Sequence, residues 1–400
     1  MNEMDESSRR VAVWTILLRF LRLGCTCFGG PVAHLGYFRE EFVLRLRWLE
    51  ETTFAEIVGL CQFLPGPASS QVGFTIGLME GGLPGGLAAW IGFTLPSAML
   101  MVGFAYGYAL LQGSIGLGLL HGLELAAVAV VAQAVWGMRR ALAPEGRRLV
   151  IAALGAVVVL WAPVVGSQLM ALGSGAMAGW WFCRGSLGVM GDWRVAVSRR
   201  VSVAAAGMFV GLLLGLPVWV VVRPVASVEL FNAFYRAGAL VFGGGHVVLP
   251  LLQSATVARG WVDQGTFLAG YGGAQALPGP LFSFAAFLGS VCRPVPGVGG
   301  AAISLVGIFL PGLLLIVAVM PWWGRIRESA RMQAVIAGVN ASVVGILFGA
   351  LCRPVWTSAV GTVWDGLIVV AAFAALVVGR VRPLVVVGVV ALMGLVGGMR

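Results

Sequence analysis

Apolar runs of about 17–25 residues succeed one another along nearly the whole chain, and no polar stretch between them is long enough for a second, water-soluble domain. Each run matches the thickness of a bilayer's hydrocarbon core when helical. We count thirteen, at about 11–30, 56–79, 85–112, 115–138, 148–165, 167–184, 200–222, 229–252, 265–290, 297–320, 332–351, 360–379 and 381–399. In lipid every backbone donor and acceptor must be satisfied within the protein, so only helices or a closed barrel can span. The run lengths select helices. Charged residues are 10% of the chain, against roughly 25% in soluble domains. The expected fold is an all-α polytopic membrane protein with the lipid bilayer as its solvent.

All 26 basic residues are Arg, and the net charge is +10. They are spread over many short connections rather than gathered on one face, so no nucleic-acid partner is expected. Placing the N-terminus in the cytoplasm puts sixteen Arg inside and seven outside. The positive-inside rule then selects a cytoplasmic N-terminus and a periplasmic C-terminus. The first run contains Arg19 and Arg22 and lacks a small-residue cleavage site, so it reads as a retained first span. Six Cys and three His are scattered without ligand spacing, so neither a metal site nor a cofactor is expected. Without a Cys cluster, a dinucleotide fingerprint or a Walker A pattern, the chain reads as no enzyme and no ATPase.

Within the apolar background one stretch occurs twice. The first copy has Arg22-Leu-Gly24, Phe28-Gly29-Gly30-Pro31, His34, Trp48 and Gln62-Phe-Leu-Pro65-Gly66-Pro67. The second has Arg236-Ala-Gly238, Phe242-Gly243-Gly244-Gly245-His246, Trp261 and Gln275-Ala-Leu-Pro278-Gly279-Pro280. One residue of length between the Gly pair and the Trp separates them. Further on, Gly92-Phe-Thr-Leu-Pro96 answers Gly307-Ile-Phe-Leu-Pro311. The expected domains are a first repeat at 1–199, a central segment at 200–224 and a second repeat at 225–400. With six segments on either side of the seventh, the copies enter the membrane from opposite sides. That is the arrangement of an inverted-repeat transporter, whose site lies where two sets of broken helices meet. The amphipathic stretch 34–48 suits a helix at the interface.

The matched residues define the candidate site. An Arg in an apolar segment is costly unless it faces protein, water or a counter-charge, and the guanidinium fork of Arg22 or Arg236 fits an oxyanion. Gly29, Gly30, Gly243 and Gly244 allow close backbone approach, either to an anion or to a packed helix. Pro65-Gly66-Pro67 and Pro278-Gly279-Pro280 free backbone groups that must be satisfied or line a cavity. Gln62 and Gln275 precede these breaks, and Ser69, Ser70 and Ser283 follow them, as uncharged donors. For proton coupling the candidates are His34, His246 and Glu124, with Asp365 the other acid close to a membrane segment.

The sequence resembles the chromate ion transporter family in its long, two-domain form. The resemblance is carried by Phe28-Gly-Gly-Pro31, Phe63-Leu-Pro-Gly-Pro67 with Ala-Ser-Ser-Gln71, and Phe242-Gly-Gly-Gly-His246, and it covers nearly the whole chain. It implies secondary active export of chromate across the bacterial inner membrane, giving chromate resistance, with sulfate as competing mimic. Transport of sulfate or another tetrahedral oxyanion, and passive anion conduction, remain alternatives. The oligomeric state is open, a homodimer being one option.

Overall fold

The structure is a computed structural model that describes residues 11–28, 30–110, 114–144, 146–161, 167–183, 197–241, 248–323 and 329–397. Every regular element among them is helical. The first half comprises α1 (Val13–Thr26), α2 (Gly30–Phe38), α3 (Glu51–Phe63), α4 (Ala68–Leu110), α5 (Ser114–Leu142), α6 (Gly146–Trp161) and α7 (Ser167–Phe182). Next comes α8 (Arg199–Val222), exposed along most of its apolar length. The second half comprises α9 (Ala226–Ala239), α10 (Val248–Thr256), α11 (Gln264–Ala276), α12 (Phe284–Val291), α13 (Val298–Val319), α14 (Ala330–Ala350), α15 (Val363–Val377) and α16 (Pro383–Gly397).

Five helices among the described residues are long and apolar enough to cross a membrane: Ala68–Tyr108, Gly118–Arg140, Arg199–Val222, Val298–Trp322 and Ala330–Arg353. Several other sequence runs resolve into shorter pieces. The run at 56–79 divides into α3 and the first arm of α4, separated by Pro65-Gly66-Pro67. The run at 265–290 divides in the same way around Pro278-Gly279-Pro280, into α11 and a 3₁₀ turn leading into α12. Prolines cannot donate to the helix ladder, and the glycine between them takes a positive φ, +132° at Gly66 and +92° at Gly279. The run at 229–252 contains α9 and the start of α10. α4 itself is a hairpin. It reverses at Gly82 (φ 66°), so that Gly77 packs against the Gly85 carbonyl, where a Cβ on Gly77 would sit 2.4 Å away. The second half repeats this turn with Gly289 against Gly300, at 2.3 Å.

The one-residue difference between the copies has a local explanation. α2 runs on as a π-helical turn over Arg39–Arg45, and a π turn is the usual way for a helix to absorb an inserted residue. The chain then reaches Trp48 through Arg47 (φ 51°), where the second copy reaches Trp261 through Gly260 (φ 69°). Phe20, Phe38, Phe42 and Phe93 pack around this segment as a buried aromatic cluster.

Helix partners are exchanged between the halves. Within each half, the helix carrying the motif Arg packs on the helix carrying the later Gly–Pro pair. Gly24 of α1 abuts the Phe93 carbonyl of α4, and Gly238 of α9 abuts the Ile308 carbonyl of α13. Farther along, α6 and α7 of the first half pack on α14 of the second, while α15 and α16 pack on α5 of the first. The contacts match residue by residue. Gly394 meets the Gly118 carbonyl and Gly122, just as Gly179 meets the Ala334 carbonyl and Gly338. Small residues at these crossings let backbones approach, the common solution where lipid supplies no hydrophobic drive between helices.

Candidate functional site

The two Pro-Gly-Pro breaks are where the halves cross. Leu64 ends α3 in an extended conformation, and the chain turns through Gly66 before α4 begins. The Gly66 N–H donates to the Val241 carbonyl of the second half, at 2.7 Å. The Gly279 N–H donates to the Cys27 carbonyl of the first half, at 2.8 Å. Cys27 and Val241 each lie five residues beyond their motif Arg, so the two bonds are equivalent and reciprocal. Second contacts follow the same rule. Gly66 lies against Gly312, and Gly279 lies against Ser97, the residues that follow Pro311 and Pro96.

Side chains complete the crossing. The buried Gln71 amide donates to the Pro65 carbonyl (3.0 Å) and to the Gly312 carbonyl (3.1 Å), satisfying two groups that the proline break leaves open. The Ser97 and Ser283 hydroxyls are 2.6 Å apart across the halves. Ser70 is buried in the first turn of α4, and among the described residues its hydroxyl has no hydrogen-bond partner. The first N–H groups of a helix have no partner within it, and together with the axial dipole they favour an anion. Two such N-termini, those of α4 and of the turn leading into α12, start at the crossing, immediately after the prolines.

The remaining sequence candidates distribute unevenly around this point. Gly30 starts α2 with φ +77°, while Gly29, Gly243, Gly244 and His246 lie outside the described residues. Arg22 is exposed on the α1 face that also bears Trp14 and Leu18. Arg236 is half-buried in the last turn of α9. Among the described residues neither forms an ion pair. Arg19, which the repeat leaves unmatched, lies 3.7 Å from Glu41. Gln62 is exposed at the end of α3, whereas Gln275 is partly buried beside the Tyr271 hydroxyl. His34 is buried edge-on to Phe93, close to the Cys27 backbone that accepts from Gly279. Glu124 belongs to a separate cluster with His121 and Asp263. Ser97 and Gln71 are the residues the candidate list omits. Gln71 stands in the Ala-Ser-Ser-Gln71 motif, but its counterpart in the second half is Phe284, so a comparison of the copies hides it.

No group of three or more His, Cys, Asp and Glu that would hold a metal ion occurs among the described residues. What the crossing offers is a pair of half-helix N-termini with the neutral Ser70 hydroxyl beside one of them, a set suited to a weakly bound anion.

The fold and its crossing define a polytopic membrane protein of two interlocked helical halves. The chain belongs to the chromate transporter family, whose model matches residues 14–180 and again 228–395. It is similar to a chromate transport protein of Pseudomonas aeruginosa, 29% identical over 83% of this chain and 78% of the relative. It is also similar to a probable chromate transport protein of Synechococcus elongatus (27%, over 83% and 82%) and a chromate transport protein of Cupriavidus metallidurans (26%, over 84% and 81%). No solved structure matches the chain significantly.

Proposed function

We propose that the protein is a secondary active transporter that exports chromate across the bacterial inner membrane, driven by the proton motive force, and thereby confers chromate resistance. Family membership supports the substrate class. The observation that carries the site is the reciprocal pair of bonds from Gly66 to Val241 and from Gly279 to Cys27. Broken helices that meet between two related halves are how inverted-repeat transporters build a midplane site. We take the repeats, 1–199 and 225–400, to insert in opposite orientations, with a cytoplasmic N-terminus and a periplasmic C-terminus.

In this reading the glycine N–H groups hold the halves together rather than the substrate. The dianion sits against the N-termini that follow, with the Ser70 hydroxyl as one donor. Arg236, and Arg22 from the opposite motif, balance its charge on the way through, and Gly30 lets the α2 backbone approach. Neutral donors suit a carrier, because a dianion fixed by buried guanidinium pairs would leave slowly. Sulfate has the same shape and charge and competes.

The test is radiolabelled chromate uptake into inverted membrane vesicles, with and without an uncoupler and with excess sulfate. The expected result is energised accumulation that the uncoupler abolishes, that sulfate reduces, and that falls in Ser70→Ala and Arg236→Ala protein. Equilibration without accumulation would replace the pump with a passive anion pathway.

A further inference from the structure

A second polar constellation lies apart from the crossing residues, and the repeat does not explain it. His121 of α5 points one ring nitrogen at Asp365 (Nε2–Oδ1 3.0 Å) and the other towards Glu124, one turn along the same helix (Nδ1–Oε2 3.8 Å). Asp365 is a fixed anion. It takes part in the capping box that starts α15, and its second oxygen accepts from the Gly361 and Thr362 N–H groups at 3.1 and 2.9 Å. Glu124 turns its other oxygen towards α11, 2.9 Å from where a side chain on Gly265 would begin. An Asp263 oxygen lies 3.3 Å from that same point. Asp263 in turn lines a cavity of about 460 Å³ with Tyr108, Trp261, Thr266 and Arg293. Titratable groups therefore run from the cavity through Asp263 and Glu124 to His121 and Asp365.

The charges around the imidazole are mostly of one sign. α16, which packs on α5, has no ionisable side chain. α11 contributes Asp263, and the second arm of α4 contributes Tyr108, bonded to Thr266 at 2.9 Å. Arg353, in the segment Leu351–Trp356 that follows α14 and lies beside α5, is exposed, and Arg293 lines the cavity. Among the described residues no guanidinium pairs with Glu124, Asp263 or Asp365. Two carboxylates flank the imidazole, and a third, Asp263, faces Glu124 beside Gly265, a concentration of negative charge that a bound proton offsets.

The helix crossing does not require His121 or Glu124. Gly118, Gly122 and Gly394 match Ala334, Gly338 and Gly179, so the same register sets His121 against Ala337, Glu124 against Asn340 and Asp365 against Val150. The other half builds the same helix crossing without them. His121 and Glu124 stand on the apolar span Gly118–Arg140, and ionisable groups in such a segment that the crossing does without mark ion or proton pathways.

We propose that His121, held between Asp365 and Glu124, is a proton-binding site loaded from the cavity at Asp263, and that it carries the coupling proton of transport. This rests on the proton-driven reading above. Loading moves one proton from cavity water through Asp263 and Glu124, breaking one O–H bond and forming one N–H bond on the imidazole. Unloading reverses this, and no electrons are exchanged. Asp365 holds the ring in place and keeps its own charge throughout.

The experiment reconstitutes the full chain in liposomes and measures two modes. One is net chromate flux driven by an imposed pH gradient. The other is chromate-for-chromate exchange without a gradient. His121→Gln and Glu124→Gln are expected to lower gradient-driven flux about tenfold or more while leaving exchange near the wild-type rate. The double variant H121A/E124N copies the side chains of the other half, which keeps a folded protein in hand, and it is expected to behave likewise. Gradient-driven flux at wild-type level in these variants overturns the proposal. Parallel loss of both modes in protein that unfolds at the wild-type temperature also overturns it, because the cluster then serves the movement of the anion itself rather than the coupling proton. Wild-type protein that exchanges chromate but ignores the gradient removes the coupling and this site together. Wild-type protein that does neither refutes the transporter reading itself.

Discussion

Arg47 holds a backbone conformation that its partner position gives to glycine. Its φ of 51° stands where Gly260 has 69°. A left-handed residue with a side chain is strained, and Arg47 is exposed, so little is lost with the side chain. Arg47→Gly is expected to raise stability by about 0.5–1 kcal/mol, read as a higher thermal midpoint in detergent. The opposite holds at the breaks. A Cβ on Gly66 would sit 2.7 Å from the Gln71 amide, and one on Gly279 would sit 2.8 Å from the Ser97 hydroxyl, both from positive-φ backbones. Gly66→Ala and Gly279→Ala are each expected to cost about 2 kcal/mol or more and to depress chromate accumulation in vesicles. At this scale the sequence was informative about backbone and less so about side chains. Proline and glycine identify the breaks because their conformational limits are intrinsic. Gln71 was missed because a side chain that satisfies open carbonyls looks the same, in sequence, as any other polar residue in an apolar run. Gln62, three residues before Pro65, is exposed instead.

The thirteen apolar runs locate helices along most of the chain, and α8, α13 and α14 fall within a few residues of their runs. Runs that contain a break were harder to read. Hydropathy records that a segment is apolar, not that it is two short helices. α3 and α11 have 13 residues each, about 20 Å of helix, too short to cross a bilayer alone. Their free ends are tied to neighbouring elements instead, and Gln71 is the clearest tie. Gln71→Ala leaves the Pro65 and Gly312 carbonyls without their donor in a buried place. The expected cost is about 2 kcal/mol, with Gln71→Glu no better, because a carboxylate cannot donate. Thermal unfolding of both variants checks this. The π turn at Arg39–Arg45 was announced only as a length difference between the copies. Nothing in the residues themselves marks where a helix will accommodate an extra one.

Over the whole molecule, the repeat was plain in the sequence and the exchange of partners was not. Periodicity tells which face of a helix is apolar, whereas the choice between a helix of the same half and one of the other depends on shape at the glycine crossings. α6 and α7 pack on α14, and α15 and α16 pack on α5, so each half is completed by the other. Two chains cut between α8 and α9, 1–223 and 224–400, are therefore expected to be unstable when expressed singly. They should recover a folded, transporting protein when expressed together. Accumulation of either piece alone as a stable, monodisperse protein would show that the halves fold independently.

The central claim is that the halves cross at the two breaks and that transport passes through this crossing. The most direct measurement joins Ser97 to Ser283, whose hydroxyls are 2.6 Å apart on opposite halves. In protein whose six native Cys are replaced, S97C/S283C is oxidised in inverted vesicles and assayed for chromate accumulation before and after reduction. The account predicts an intrachain disulfide that stops accumulation and full recovery on reduction. A pair that never cross-links would contradict the crossing, and a fully cross-linked protein that transports at the wild-type rate would contradict its role in moving the anion.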